Sequence, residues 1–318
     1  MLSLQDVENA AAIVRAAMPP TPQYAWPLLM KRTGCEAWVK HENHTPTGAF
    51  KVRGGLVYMD RLKRTQPAAA GVISATRGNH GQSIALAAAR AGIAATIVVP
   101  LGNSVEKNAA MRAFGAELVE AGHDFDAARE VAMRLAAERG LAMVPSFHRD
   151  LVCGVATYAL ELFRNAPALD TVYVPIGLGS GICGTIAVRD ALGLSTRVVG
   201  VVSTEAPAYA LSFAAGKVVP TNSADTMADG MAVRGPDAEA LQVILKGADR
   251  IVKVSDAEIA AAMRAYYEDT HQLAEGAGAA ALAALMQERE RQKGKRVGLI
   301  LSGGNIDRPL YLRTLAGD

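Results

Sequence analysis

The sequence predicts an α/β protein whose sheets are mainly parallel and carry helices on both faces. Short runs rich in valine and isoleucine alternate along the chain with longer segments of helical period, which is the order of elements in such three-layer folds. No segment repeats at a fixed period, and no low-complexity linker divides the 318 residues. A second domain must therefore be inserted through the first.

Local patterns predict the individual elements. Ser255 and Glu258 form a capping box that begins a helix, and Gly140 ends another helix over Phe125–Arg139. We expect a large domain formed by residues 1–62 and 150–318, and a small inserted αβα domain formed by residues 63–149. Eight strands are predicted, at Ala37–His41, Gly71–Ala75, Ala95–Val99, Glu117–Glu120, Val172–Ile176, Val198–Val202, Ile251–Val254 and Val297–Leu301.

Composition and charge exclude several classes of function. The 33 Lys and Arg residues nearly balance the 31 Asp and Glu residues, and no basic stripe with interleaved aromatic residues occurs, so nucleic acid is not an expected partner. The chain begins without a signal-peptide pattern and has no apolar run long enough to span a bilayer. Cys35, Cys153 and Cys183 are widely spaced, so we expect reduced thiols and a cytoplasmic protein.

The first candidate site segment runs from Thr45 to Gly55 and places Lys51 on the first turn of a predicted helix. A cation at this position faces the positive end of the helix dipole. That position and partial burial would both lower the pKa of the Lys51 amine, which favours the neutral form that makes imines with carbonyl compounds. Taken alone, the segment also fits a surface lysine on an amphipathic helix.

The second segment, Ser74–Gln82, is a polar turn between a strand and a helix that begins at about Asn79. Backbone amides at such a helix start bind anions, and the side chains of Thr76, Asn79 and His80 add directional hydrogen-bonding groups. A substrate carboxylate fits this turn. The alternative is that Asn79 only caps the helix and that His80 is a solvated residue of the first turn.

The third segment joins a strand to a helix and has four glycines within the eight positions Gly177–Gly184. Glycines let the backbone approach a phosphate closely, and Ser180 supplies a hydroxyl. The stretch 179–184 also matches the dinucleotide fingerprint, and Glu205 lies about 20 residues later, where a ribose-binding acid would be. This unit alone therefore also allows nucleotide binding, although a nucleotide site leaves the other segments unexplained.

The fourth segment, Leu301–Asn305, ends the last predicted strand with a hydroxyl and two glycines. The glycines let a flat ring approach the backbone, and Ser302 can hydrogen-bond a ring nitrogen without imposing a charge on it. A plain turn is the alternative. Polar segments at the carboxyl ends of strands are where open α/β sheets bind their ligands.

Together and in this order, the segments resemble the β-family, or fold type II, of pyridoxal phosphate enzymes, in particular the serine/threonine dehydratases. Thr47–Gly54 is similar to the lysine motif of that family and Gly78–Gln82 to its asparagine turn. Gly177–Gly181 is similar to its phosphate loop and Ser302–Asn305 to its last turn. The resemblance implies two three-layer αβα domains with pyridoxal 5′-phosphate in the cleft between them, and a homodimer.

The resemblance also implies roles for the matching residues. Lys51 would hold the cofactor as a Schiff base and act as the catalytic base. Glu275 would lie near the ring, or would be only an acid favoured by a helix N-terminus. The cofactor would be bound by Phe50, Lys51, Asn79, Gly177, Leu178, Gly179, Ser180, Gly181 and Ser302. The substrate would be bound by Thr76, Arg77, Gly78 and His80.

Arg77 stands where serine racemases and many dehydratases have a serine. Arginine is a poor proton donor or acceptor at neutral pH, so racemisation is disfavoured. Arg77 either forms a bidentate pair with a second substrate carboxylate, or faces solvent, or pairs with an acid of the facing domain.

No divalent metal site is expected in this chain. Val202 and Ala208 supply no side-chain oxygen where metal-binding members of the family have their ligands. His41 and His44 are expected on opposite faces of the chain, which argues against a zinc pair.

The expected reaction is β-elimination of a β-hydroxy amino acid, with L-threonine and L-serine as the first substrates, to a 2-oxo acid and ammonia. One alternative is a dehydratase for 3-hydroxyaspartate or a bulkier 3-hydroxy amino acid, with Arg77 as the selector. An alternative of another class is an oxidoreductase or sensor that binds an NAD-type nucleotide through residues 179–184 and Glu205.

Overall fold

The computed structural model describes residues 2–317 and contains two sheets surrounded by helices. The strands are β1 (Gln23–Ala25), β2 (Glu36–His41), β3 (Val72–Ala75), β4 (Ala95–Val99), β5 (Glu117–Glu120), β6 (Ala142–Met143), β7 (Thr171–Pro175), β8 (Arg197–Ser203), β9 (Arg250–Val254) and β10 (Arg296–Leu301). The helices are α1 (Leu4–Arg15), α2 (Pro27–Thr33), α3 (Lys51–Thr65), α4 (Asn79–Ala91), α5 (Val105–Ala113), α6 (Phe125–Arg139), α7 (Arg149–Asn165), α8 (Ser180–Ala191), α9 (Ala208–Ala215), α10 (Ala238–Gly247), α11 (Asp256–Thr270), α12 (Gly276–Gln287), α13 (Arg289–Gln292) and α14 (Arg308–Ala316). Short 3₁₀ turns lie at Glu42–His44 and Asp229–Met231.

The two sheets are mainly parallel. The larger sheet has six strands in the order β1-β2-β10-β7-β8-β9, and the smaller has four in the order β5-β4-β3-β6. Within both sheets every neighbouring pair is parallel except β1 with β2. In the neighbouring pair of β10 and β2, Leu301 lies opposite His41, the last residue of its strand. The turns after β2, β7 and β10 therefore meet at one edge of the larger sheet.

The predicted α/β class with mainly parallel sheets is confirmed. All eight predicted strands are present, and each differs from its predicted bounds by at most one residue at either end. The sequence does not predict β1 and β6, because three and two residues are too few to display a period. The predicted capping box of Ser255 and Glu258 begins α11, and Gly140 ends α6 in the left-handed conformation.

The larger sheet is covered on both faces, as its strand sequences require. Tyr173, Val199 and Leu299 point to one side and pack with α11 and α12. The alternate residues Val172 and Val198 point to the other side and pack with α7 and α8. Helix α12 consists mainly of Ala and Gly and is buried on almost all faces, so its small side chains allow the helix to lie deep in the core.

The smaller sheet has its own core on each face. Val72 and Ile97 pack with α3, α4 and α5 on one face, and Ile73 and Val98 pack with α6 on the other. All four strands of this sheet fall within the predicted small domain 63–149. The exact boundaries of the two domains stay a prediction, because α1 and most of α3 lie before residue 63 and yet contribute to the core of the smaller sheet.

Cys35, Cys153 and Cys183 are buried and free. Burial raises the pKa of the Cys153 thiol to about 11. Among the helices between residues 2 and 317, none is both long and apolar enough to cross a membrane.

Candidate active site

Lys51 lies on the first turn of α3, as predicted. Its side chain borders a space that is lined by residues of α4, α7 and α8. Its Nζ lies 3.4 Å from Oγ of Ser180 and 5.1 Å from the centre of the Phe50 ring. Burial lowers the pKa of the Lys51 amine to about 8. A substantial fraction of this amine is therefore neutral near physiological pH, as a nucleophilic lysine requires.

Two glycines explain how α3 approaches its neighbour α7 so closely. A Cβ atom on Gly54 would lie 2.7 Å from the carbonyl oxygen of Leu151. A Cβ atom on Gly154 would overlap the carbonyl oxygen of Arg53. Only glycine fits at these two positions, and the contact fixes the helix that carries Lys51.

The turn Gly177–Gly181 connects β7 to α8. Gly179 has φ 98°, a conformation that favours glycine, and Ser180 begins α8 and is buried. The carbonyl oxygen of Leu178 accepts a hydrogen bond from the Tyr209 hydroxyl, and that of Gly181 accepts one from Tyr158, each at 2.9 Å. With these carbonyls engaged, the backbone amides at the start of the 12-residue helix α8 form an anion-binding end.

A chain of side-chain amides fixes the orientation of Asn79, the first residue of α4. Nδ2 of Asn305 donates to the backbone carbonyl of Thr47 at 2.7 Å and to Oδ1 of Asn79 at 2.8 Å. Nδ2 of Asn79 in turn donates to Oε1 of Glu275 at 2.6 Å. Because the Thr47 carbonyl only accepts, each amide in the chain has one orientation. Asn79 retains one N–H for a ligand.

The four predicted substrate-binding residues differ in their surroundings. Thr76 is buried, and its hydroxyl accepts a hydrogen bond from the Gly78 amide at 3.0 Å. Arg77 is exposed, and it makes no ion pair with any acid of the described chain. The turn therefore buries Thr76 and leaves the guanidinium of Arg77 in solvent.

His80 is buried beside Lys51. Its Nε2 has no hydrogen-bond partner within the described residues, and burial, together with the Lys51 charge, lowers the pKa of the imidazole to about 3. The ring is therefore neutral at physiological pH, and its orphaned nitrogen is available to a ligand. A solvated His80, the alternative left open by the sequence, is wrong.

A narrow cavity lies between Lys51, His80 and Ser180. Its remaining walls are Gly54 and three residues that sequence reasoning does not single out, Ser146, Leu151 and Val155. The last two lie on α7, and in the sequence they look like ordinary core residues of a buried helix. Ser146 lies just before that helix, and no motif around it indicates a binding site.

The turn after β10 is joined directly to the turn that precedes Lys51. The buried residue Ser302 accepts a hydrogen bond at its carbonyl from the amide of Phe50 at 3.0 Å, and Gly303 pairs with Ala49 in an antiparallel bridge. This contact places the last predicted segment beside the first.

A buried network of four charges supports the site and was not predicted. Arg53 is wholly buried and binds both oxygens of Glu42, with Nε at 2.7 Å, and both oxygens of Glu161 at 2.8 Å. Nζ of Lys40 lies 2.6 Å from Oε2 of Glu161. Two cations and two anions balance, as buried charges require. Glu161 lies 108 positions after Arg53, so no local pattern reveals the pair.

One detail of the sequence prediction is corrected. His41 and His44 were expected on opposite faces, but their rings lie 5.2 Å apart. Residues 42–44 form a 3₁₀ turn rather than a continued strand, so three positions bring the rings back to the same side. Within residues 2–317, no group of three or more His, Cys, Asp or Glu side chains is arranged to hold a metal ion.

The fold and this site define a pyridoxal phosphate enzyme. Residues 14–303 match the family described as "Pyridoxal-phosphate dependent enzyme", and the chain belongs to that family. The cofactor that the sequence predicts is thereby confirmed.

Individual relatives narrow the comparison. An L-threonine ammonia-lyase of Thermotoga maritima is 33% identical over 308 residues, which cover 96% of this chain and 76% of the relative. An L-threo-3-hydroxyaspartate ammonia-lyase of a Pseudomonas species is 33% identical over 316 residues, which cover 99% of both chains. The structure of processed threonine deaminase isoform 2 from Solanum lycopersicum is similar with a TM-score of 0.90 at 28% identity, over 99% of this chain and 94% of that one.

The residues present fit this cofactor. Lys51 offers an amine of lowered pKa, the start of α8 offers an anion-binding end for a phosphate, and Asn79 has a free N–H. The orphaned Nε2 of His80 opens on the same space. These are the groups that an aldehyde, a phosphate, a phenolic oxygen and a substrate carboxylate need.

Proposed function

We propose that this protein is an ammonia-lyase that removes the β-hydroxyl and the amino group of L-threonine or L-serine and releases a 2-oxo acid and ammonia. The observation that carries the proposal is the partly neutral amine of Lys51, which lies beside Ser180 and opens on the cavity that contains His80. The names of the similar ammonia-lyases support the same reaction class.

Several residues would hold the cofactor. Lys51 would attach it covalently, the amides of Gly177–Gly181 at the start of α8 would bind its phosphate, and Asn79 would donate to its phenolic oxygen. Ser302 would face its ring nitrogen with a neutral hydroxyl. When bound, pyridoxal phosphate supplies the electron sink for cleavage of bonds at the substrate α-carbon.

Lys51 and His80 would divide the work on the substrate. While it is not bound to the cofactor, Nζ of Lys51 would take the proton from the α-carbon, a role for which a pKa of about 8 is close to the working pH. His80 is neutral, with a pKa of about 3, so it binds the α-carboxylate through a hydrogen bond rather than as a counter-ion. The amides at the start of α4 and the turn Thr76–Gly78 complete the carboxylate site.

The residues around the Lys51 amine offer no partner for a second substrate carboxylate. Leu151 and Val155 are apolar, Ser146 is neutral, and Lys51 is the one cation among the residues that line the narrow space. A β-carboxylate bound here would lose its hydration without a counter-ion. The lining therefore favours L-threonine or L-serine over 3-hydroxyaspartate.

A second candidate substrate is 3-hydroxyaspartate, and one observation favours it. The similar L-threo-3-hydroxyaspartate ammonia-lyase matches this chain over 99% of both lengths, and the exposed Arg77 lies in the turn that would bind the substrate. In this case Arg77 would reach the β-carboxylate from outside the cavity and form a bidentate pair with it. Direct competition between the two substrates distinguishes the candidates.

The nucleotide-binding alternative is not supported. The chain belongs to a family of pyridoxal phosphate enzymes, which favours a phosphate site over a nucleotide site in the Gly-rich turn. Gly184 serves helix packing, since a Cβ atom there would lie 3.0 Å from the backbone of Ala156 on α7. Glu205 is exposed after β8.

The proposal is tested with Lys51→Ala and the matched variant Lys63→Ala, an exposed lysine of the same helix. Lys51→Ala should release no 2-oxo acid from L-threonine, whereas Lys63→Ala should retain the wild-type rate. Borohydride reduction of the holoenzyme followed by peptide mass spectrometry should locate the cofactor on Lys51. An active Lys51→Ala protein, or a label on another lysine, would refute the proposal.

The expected homodimer and cytoplasmic location are checked by light scattering and cell fractionation.

A further inference from the structure

An ionic cluster joins elements of the two sheets across the cleft. Lys107 lies on α5, which packs with the smaller sheet. Its Nζ is 2.5 Å from Oδ2 of Asp229 and 3.6 Å from Oε2 of Glu275. Asp229 and Glu275 both adjoin α12, which packs against the larger sheet. The Lys107 and Glu275 side chains are only 7% and 3% exposed, so the contact is shielded from water.

One cation in this cluster serves two acids. Asp229 takes the short contact with Lys107, and Oε2 of Glu275 has no hydrogen-bond partner within the described residues. Burial raises the pKa of Glu275 to about 7; Lys107 opposes this rise and Asp229 adds to it. The charges near this carboxyl are thus Lys107 of α5 and Asp229, with Asp307 acting in turn on Lys107. The charge of Glu275 depends on Lys107.

Glu275 also controls a neighbour that faces the cofactor site. Its Oε1 accepts the hydrogen bond from Nδ2 of Asn79 at 2.6 Å. A Cβ atom on Gly303 would overlap this same oxygen, so the absence of a side chain there leaves the space that Glu275 occupies. The carboxylate is therefore held in one place, and Asn79 keeps one N–H free.

We propose that Lys107 is a positioning residue: by bridging Asp229 and Glu275 across the cleft, it keeps Glu275 an acceptor for Asn79 and so keeps the free N–H of Asn79 directed at the cofactor. The inference rests on the proposed function, because it requires the cofactor beside Asn79. A protonated Glu275 would no longer serve as a charged acceptor, and the hydrogen bond to Asn79 would weaken. Lys107 lies on α5 and Glu275 adjoins α12, so the contact between these elements sets the charge state next to the cofactor.

The test uses the holoenzyme and reads the visible absorption of the bound cofactor against pH, together with the cofactor dissociation constant. We expect this absorption to change where Glu275 gains or loses its proton. Lys107→Gln should move the pH midpoint of this spectral change upward by about one unit, because loss of the nearby cation favours protonated Glu275. It should also weaken cofactor binding by about tenfold, the effect of losing one charge-assisted hydrogen bond. Lys107→Arg keeps the cation, so it should retain both the wild-type pH midpoint and the wild-type cofactor affinity.

A double-mutant cycle separates positioning from a merely structural role. In the Glu275→Gln background, Lys107→Gln should have no further effect on the spectrum, because its route to Asn79 is gone. Arg112→Gln is the matched control: it removes a cation of the same helix α5 whose ion pair with Glu120 is exposed, and it should leave the spectral change in place. An equal effect of Lys107→Gln in both backgrounds would refute the proposal.

Asp229→Asn provides an independent variant, since Asp229 is 35% exposed and tolerates replacement better than a buried residue. Loss of this acid leaves Lys107 to Glu275 alone, so the spectral change should move to lower pH, opposite to Lys107→Gln. No shift, or a shift to higher pH, would contradict the inference. A protein without any cofactor band would instead overturn the proposed function, and this inference with it, whereas a band indifferent to these variants would overturn the inference alone.

Discussion

The side-chain amides of Asn305 and Asn79 are joined by a hydrogen bond of 2.8 Å, with Asn305 donating. Asn305→Asp preserves the shape but replaces the donor by an oxygen that faces the Thr47 carbonyl and Oδ1 of Asn79. Repulsion between these acceptors should turn Asn79 and weaken cofactor binding by about tenfold or more. The dissociation constant from absorption titration is the measurement. Unchanged affinity in a folded Asn305→Asp protein would mean that Asn79 does not contact the cofactor.

The ion pair of Arg53 with Glu42 should dominate the stability of this region. Glu42→Gln leaves the buried guanidinium short of one counter-charge, and breaking such a pair costs about 3–5 kcal/mol in the free energy of unfolding. Urea denaturation measures the loss. The control is Asp60→Asn on α3, the helix that carries Arg53. The ion pair of Asp60 with Arg64 is exposed, so it should contribute about 0.5 kcal/mol or less to the free energy of unfolding.

The lowered pKa of Lys51 predicts how the apoenzyme takes up its cofactor. Only the neutral amine attacks an aldehyde, so the rate of covalent attachment of pyridoxal phosphate should rise as the pH increases through about 8 and then level off. Stopped-flow absorption over a pH series gives this midpoint. A midpoint near the ordinary lysine pKa of about 10.4 would show that burial does not lower the pKa of this amine.

Gly154→Ala should separate α3 from α7, because the added Cβ would overlap the carbonyl oxygen of Arg53. We expect a loss of about 1–3 kcal/mol in the free energy of unfolding, typical of overpacking, and a lower turnover number, since Lys51 moves with α3. Thermal unfolding and steady-state kinetics check the two effects. Gly235→Ala, where no atom lies within 4 Å of the added Cβ, should change neither.

Arg77→Ser distinguishes the two candidate substrates. If Arg77 binds a β-carboxylate, the variant should lose about tenfold or more of kcat/KM for 3-hydroxyaspartate, the worth of one bidentate ion pair, and retain its value for L-threonine. Equal values for both substrates before and after the change would remove Arg77 from substrate selection. Activity with L-threonine alone in both proteins would support L-threonine as the substrate.

Much of the site is predictable because strand ends impose proximity. Lys51, Ser180 and Ser302 follow three parallel strands of the larger sheet, and the carboxyl ends of these strands must meet at one edge. Asn79 belongs to the other sheet, and the sequence alone places it here only through the order of motifs. Turn chemistry and strand order therefore account for the predicted half of the site.

The remaining residues carry no local signal. Lys107 and Asp229 are in contact although 122 positions separate them in the sequence. The residues around each of them give no sign that it is more than an ordinary charged residue. Leu151 and Val155 belong to a helix that is buried along most of its length, so nothing in its period marks the side that borders a cavity. Such contacts depend on how the two domains pack against each other, and this packing cannot be inferred from any short stretch of the sequence.

The balanced network of Lys40, Glu42, Arg53 and Glu161 restricts how this sequence can change over generations. Any single neutral replacement leaves an uncompensated buried charge, whereas replacing a cation and an anion together restores neutrality. Substitutions at these positions should therefore appear in related sequences as coordinated pairs, one gained or lost with the other. If the network is lost one residue at a time, the intermediate protein is less stable. We therefore expect these four positions to change together during evolution.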